Sequence, residues 1–144
     1  MSTGHSREDS QMWQIVGLHH VAFAHASGDV TAQALEELLG LVVSHEEKGP
    51  GFMERMIPVA GDCYVQLLEA TDDGVVDRFV SRKGAALHHL ALEVTDVDAA
   101  VADLKAKGAN LVDEEPRLGG METRIAFLHP SNFGGLLVEL IQRI

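Results

Sequence analysis

Four polar residues interrupt apolar, strand-like runs at matching places in two halves of the chain. His20 stands in Leu18-His19-His20-Val21-Ala22, and His89 in Leu87-His88-His89-Leu90-Ala91. Gln66 lies within Tyr64-Val65-Gln66-Leu67-Leu68, and Glu139 within Leu137-Val138-Glu139-Leu140-Ile141. An amide or carboxylate in such a run is costly to bury unless it has a partner. Each half thus offers one donor near its start and one near its end. Two imidazoles and two oxygen donors suit a divalent ion of intermediate hardness, such as Co²⁺, Mn²⁺, Ni²⁺, Fe²⁺ or Zn²⁺. Any one of the four taken alone reads as a satisfied polar residue on a half-exposed strand. Their recurrence at equivalent places favours ligation. Of the other histidines, His19 and His88 read as core residues or supports for the ligands. His5 falls in the N-terminal tail, and His25, His45 and His129 at loops or strand ends.

The elements that would position these donors also repeat. Each Leu-His-His strand leads through a short polar turn into a helical pattern. The first pattern runs from about Val30 to Leu39, with Leu35, Leu38 and Leu39 on one side. The second runs from about Val97 to Lys107, with Asp96 as N-cap and Val97, Ala100, Val101 and Leu104 at helical spacing. Gly40 and Gly108 end the two helices. Three short strand-like runs follow in each half: about 41–46, 52–58 and 63–69, then about 109–114, 122–128 and 136–142. The spacing therefore predicts an α+β fold of two tandem βαβββ modules, about 15–70 and 85–144, within one domain over 15–144. A short helix is expected near Val75–Val80 in the joining segment. Residues 1–14 are polar and read as a disordered tail. Strand alternation puts His20, Ala22 and Ala24 on one face, and His89, Ala91 and Glu93 likewise. Those alanines predict room beside the histidines for something other than protein.

Composition excludes several classes of function. The 144 residues carry 11 Lys+Arg against 22 Asp+Glu, a net charge of −11, and only 5% aromatics. Nucleic-acid binding needs a basic surface and stacking platforms, and neither is present in the sequence. No apolar run approaches the ~20 residues of a membrane span. The single cysteine, Cys63, rules out an internal disulfide and any cysteine-rich metal site. The first fourteen residues resemble neither a secretory signal nor an Arg-rich transit peptide, so the expected location is cytoplasmic.

Taken together, these motifs resemble a known family. The duplicated unit with Leu-His-His-Val-Ala, Val-Gln-Leu-Leu-Glu, Leu-His-His-Leu-Ala-Leu-Glu-Val-Thr-Asp-Val and Phe-Leu-His-Pro…Leu-Val-Glu-Leu is similar to the vicinal oxygen chelate (glyoxalase/bleomycin resistance/dioxygenase) superfamily. The second His-His strand with Asp-Val, and Glu-Glu-Pro-Arg-Leu-Gly leading to Arg-Ile-Ala-Phe-Leu-His-Pro, resemble the methylmalonyl-CoA epimerase family. The resemblance runs from about Leu18 to Gln142. It implies a cleft in a curved sheet, with a divalent metal held by His20, Gln66, His89 and Glu139, Co²⁺ foremost. It also implies Glu54, in Gly51-Phe52-Met53-Glu54-Arg55, as an acid–base residue paired with Glu139. The implied activity is metal-dependent epimerisation of (2R)- and (2S)-methylmalonyl-CoA by removal and return of the C2 proton.

The implied partner is a CoA thioester, with Arg117 and Arg124 as the basic residues nearest to hand, and a homodimer is expected. The sequence departs from the family pattern at His19, where an aspartate is common, at Ser131, where a lysine often stands, and at Met121-Glu122. Other readings remain open. One is another metalloenzyme of the superfamily, either a glyoxalase-like isomerase or an extradiol-type dioxygenase using His20, His89 and Glu139. The other is a metal-free small-molecule binding protein of the same fold.

Overall fold

The computed structural model describes residues 12–28 and 30–144. They form two compact units: a central one, His19–His89, and a terminal one that joins the described residues up to Leu18 to Leu90–Ile144. Strands β1 (Ile15–His25) and β5 (Ala86–Val94) each run from one unit into the other.

In the central unit, β1 is followed by α1 (Val30–Leu39), β2 (His45–Gly49), β3 (Phe52–Pro58), β4 (Tyr64–Ala70) and α2 (Val75–Lys83). The strand order is β2-β3-β4-β1, with β1 and β4 parallel and the other pairs antiparallel. Gly49 pairs with Phe52, so Pro50 and Gly51 alone make the turn. Proline presets the first turn position, and Gly51 takes φ +80° at the second, which a side chain rarely tolerates. This tight turn explains why β2 covers 45–49 and not the expected 41–46. It draws Lys48 and Gly49 into the ladder, while Ser44 donates both its N–H and its hydroxyl to the Met56 carbonyl.

The alanine face needs a correction. Ala22 and Ala24 do not border open space; with Leu68 and Val76 they form a core cluster against which Phe52, Phe79 and Val80 pack. The small side chains let α2 lie close against the strands. Helix α1 buries no residue, and Leu38 and Leu39 point into solvent at 80% and 67% exposure.

The opposite face carries an ionic network. Arg55 bonds Glu46 at 2.7 Å and Glu69 at 2.6 Å, and Glu69 also accepts from the Gly28 N–H at 2.8 Å. The hydrogen bond from Arg55 lowers the Glu69 carboxyl below its ordinary value of 4.5, against a smaller opposing effect of burial. A lowered value means the stabilisation is present above pH 4.5 and disappears as pH falls through the folded-state value. Glu69→Gln should therefore cost about 1–2 kcal/mol at pH 7, the range for a largely buried charge-assisted bond. The gap should shrink as pH falls below 4.5 and Glu69 itself takes up a proton. Urea midpoints followed from pH 7 down into the acid range check this, and a gap that does not narrow refutes it.

The terminal unit runs from Leu90 of β5 through α3 (Val97–Ala106), β6 (Arg117–Gly119), β7 (Thr123–Leu128), a 3₁₀ turn (Pro130–Phe133) and β8 (Val138–Arg143). Its order is β5-β8-β7-β6, with β5 and β8 parallel. Asp96 caps α3 as predicted, its Oδ1 accepting from the Ala99 N–H at 3.0 Å. Val97, Ala100 and Val101 then pack on Val94, Ala126, Leu128, Val138 and Leu140.

Two expectations change here. The strand expected at 109–114 is reduced to one bridge between Leu111 and Leu128. Both Val112 and Asp113 donate to the Phe127 carbonyl, and the Asp113 carboxylate accepts from the Phe127 N–H, which closes the ladder locally. The pairing strand comes later, as β6. Of the tail expected over 1–14, residues 1–11 lie outside the described residues, whereas Trp13 is 5% exposed within the α3 core, and its indole donates to Asp103 at 3.1 Å. The Gln14 N–H donates to the Thr95 hydroxyl, and the Gln14 carbonyl accepts from the Thr95 N–H.

Candidate metal centre

Buried histidines define the site in the central unit. His20 and His89 are 2% and 6% exposed, and their Nε2 atoms are 3.1 Å apart, with ring planes at 77°. Two donors bound to one ion at about 2.1 Å and at right angles lie about 3.0 Å from each other, so this spacing suits a shared cation. On its far side each ring meets its own neighbour. His20 Nδ1 is 2.7 Å from His19 Nδ1, and His89 Nδ1 is 2.8 Å from His88 Nδ1.

Gln66 is also buried. It pairs with Ala22 on β1 and Met56 on β3, and His20 pairs with Tyr64, so register puts Gln66 and His20 on the same face. The amide nitrogen donates to the Met56 sulfur at 3.5 Å. The amide oxygen, buried as well, has no hydrogen-bond partner among the described residues. Leaving such an oxygen unmet costs about 1–3 kcal/mol, which a bound cation would offset.

Glu139 belongs to the terminal unit, where β8 holds it opposite Ala91 of β5 and Phe127 of β7. Ala91 is the second residue beyond His89. Glu139 is 5% exposed among Ala91, Ile125, Ile141 and Phe127, an apolar setting for a carboxylate. His20, His89 and Glu139 are thus each buried, and each offers an atom of a type divalent ions take.

Glu54 lies half-buried on β3, opposite Leu68 on one side and Glu47 on the other. Alternation along β3 puts it on the Met56 side, hence on the Gln66 and His20 face. Sequence reasoning missed its neighbours. His45, Glu47 and Glu54 have ligand-type atoms within 4.8 Å of one another, and His45 Nε2 is 3.0 Å from Glu47 Oε1. The Pro50-Gly51 turn was the available signal, since a two-residue loop pairs Glu47 with Glu54.

The two arginines differ. Arg124 makes two bonds of 2.8 Å to Asp98 in the first turn of α3, and those bonds hold Asp98 below the usual carboxylate range. It pairs with Gln142, one position out of phase with Phe127 and Glu139, so it stands on the other face of the ladder. Arg117 pairs with Ile125, bonds Asp113 at 3.0 Å and lies 5.9 Å from the Phe127 ring centre. Arg117 is thus the arginine on the Glu139 face. Ser131 is held by His129 and Asn110.

A family model described as the Glyoxalase/Bleomycin resistance protein/Dioxygenase superfamily matches residues 19–127. The chain belongs to this superfamily. Mouse mitochondrial methylmalonyl-CoA epimerase (Mus musculus) is 31% identical over 139 residues, covering 94% of this chain and 78% of the mouse protein. A methylmalonyl-CoA epimerase solved in complex with methylmalonyl-CoA and NH4⁺ superposes with a TM-score of 0.85 at 34% identity, over 90% of this chain and 96% of that one. The epimerase of Mycobacterium tuberculosis gives 0.86 at 33% identity, over 97% and 96%.

Within the superfamily, then, the chain groups with the methylmalonyl-CoA epimerases and is an enzyme of the isomerase class. Its α+β fold of two βαβββ modules is the vicinal oxygen chelate fold. Among the described residues, no helix is long and apolar enough to cross a membrane.

Proposed function

We propose that this chain interconverts (2R)- and (2S)-methylmalonyl-CoA with a divalent metal held by His20, Gln66, His89 and Glu139. The observation that carries the metal assignment is the pair of buried Nε2 atoms 3.1 Å apart, with the unmet Gln66 oxygen on the His20 face. The substrate follows from the chain's relatives, one of which was solved with methylmalonyl-CoA. When bound, the metal supplies Lewis acidity that lowers the cost of enolate charge.

The chain's own residues carry the proton. The C2 hydrogen of a 2-methylmalonyl thioester lies between two carbonyl carbons and is acidic for that reason. Glu54 and Glu139 are assigned as acid and base, one removing the proton and the other returning one to the opposite face, with roles exchanged in reverse. Glu139, with two carboxylate oxygens, is placed in both the metal set and the proton transfer. A neutral amide at Gln66 leaves only one anionic group among the four ligands, which favours an incoming oxyanion over a second fixed carboxylate.

Solvent deuterium incorporation at C2, followed by NMR with and without EDTA and added Co²⁺, tests this reading. Metal-dependent exchange with interconversion of the two epimers supports it. No exchange with Co²⁺ demonstrably bound leaves the site and removes the substrate. A homodimer belongs to the same proposal, and Val30, Leu38 and Leu39 give α1 an exposed apolar surface suited to one. Sedimentation at about 50 µM should give twice the chain mass; a monomer refutes the dimer.

A further inference from the structure

The geometry points to His19 and His88 as positioning residues that fix which nitrogen of His20 and His89 is offered to the metal. This inference rests on the metal assignment above and adds two residues outside the ligand set. Four imidazoles stand in a row: His19 Nδ1 to His20 Nδ1 at 2.7 Å, His20 Nε2 to His89 Nε2 at 3.1 Å, and His89 Nδ1 to His88 Nδ1 at 2.8 Å.

Proton counting then decides the tautomers. A neutral imidazole carries one N–H. A ring that presents the Nε2 lone pair to a cation must carry its hydrogen on Nδ1. That hydrogen needs an acceptor, and in both halves Nδ1 of the preceding histidine stands within reach, at 2.7 Å and 2.8 Å. His19 and His88 must therefore carry their own hydrogens on Nε2. Were either outer ring to carry its hydrogen on Nδ1, the adjoining ligand ring would hold its hydrogen on Nε2. That hydrogen would then point at the place the metal takes.

The outer rings are themselves held. His19 is 2% exposed, and its ring lies 5.4 Å from that of Tyr64, tilted by 33°. His88 meets Phe79 of α2 edge-on, with centroids 4.8 Å apart and planes at 70°. Helix α2 is thus tied to one ligand of the site through Phe79, His88 and His89. Both acceptors are uncharged imidazoles, so they orient the ligands without adding negative charge.

The test uses Co²⁺ alone as probe, with dissociation constants measured by chelator competition on the full chain. His19→Phe and His88→Phe keep an aromatic ring and remove the acceptor. Each should weaken Co²⁺ binding by about 10–100-fold, the usual loss for an outer-sphere partner. His19→Asn, whose side-chain oxygen can accept at the same place, should recover most of that loss. Melting of the metal-free variants should stay near wild type, which a merely structural role would not predict.

Unchanged Co²⁺ affinity in both Phe variants overturns the inference. Wild-type protein that binds no Co²⁺ overturns the metal assignment as well, so the two failures are distinguishable. If His19→Phe does not fold, ¹⁵N–¹H correlation of the imidazoles in wild type loaded with diamagnetic Zn²⁺ decides. Nε2–H on both His19 and His88 supports the role, and Nδ1–H on either overturns it.

Discussion

Glu54→Gln is expected to lose about 10²–10⁴-fold in kcat for epimerisation while its Co²⁺ affinity stays within about threefold of wild type. Glutamine keeps the length and shape of the side chain but can neither take up nor release the proton. The ladder holds the backbone around it on both sides: Glu54 pairs with Leu68 on β4 and with Glu47 on β2. The proposed pair of acid–base groups makes a sharper prediction possible. With Glu54 silenced, the epimer that presents its hydrogen to Glu139 should still exchange it with solvent, while inversion is lost. Deuterium uptake and the epimer ratio, followed in one NMR experiment, separate these rates. Near-normal inversion by Glu54→Gln would sink the two-carboxylate assignment.

His89→Ala is expected to abolish both metal binding and the thermal stabilisation that metal gives. Removing this ring leaves His20 Nε2 without its counterpart at 3.1 Å and frees His88 from its Nδ1 contact. A ligand present at a thousand times its Kd stabilises the native state by about 4 kcal/mol. For a chain of this size, that raises Tm by roughly 10–15 °C. Wild type should show such a rise with Co²⁺, and His89→Ala should show none. Activity should fall with it, by more than about 10³-fold. Differential scanning fluorimetry with and without EDTA provides the check. A Co²⁺-dependent rise that survives in His89→Ala would remove His89 from the ligand set.

Much of this site was legible in the linear sequence because strands alternate with period two. A polar residue in an apolar strand, found twice at equivalent places, points to a shared purpose, and so His20, Gln66, His89 and Glu139 stood out. The same periodicity located the helices, with Asp96 capping α3 and Val97, Ala100 and Val101 facing its core. Glu54 was different. A carboxylate on a half-buried strand is common, and family resemblance was needed to single it out.

Pairing was harder to read than element type. The run at 109–114 has strand-like composition, yet the Asp113 carboxylate takes the Phe127 N–H and reduces pairing there to one bridge. Local composition cannot reveal such a competition between side chain and backbone. Trp13 was misplaced for a related reason. A lone aromatic in a polar segment has no periodicity to announce it, and only the α3 core with Asp103 gives it a place.

What the sequence determined by itself was the repeat, the element types and the residues able to bind a cation, since these depend on side-chain chemistry and local spacing. Tertiary structure alone decided that α2 covers the alanines, that Glu47 faces Glu54, and that four imidazoles stand in one row. Each of these depends on distances between residues far apart in the chain. Such distances are set by strand register and packing, which no local pattern encodes.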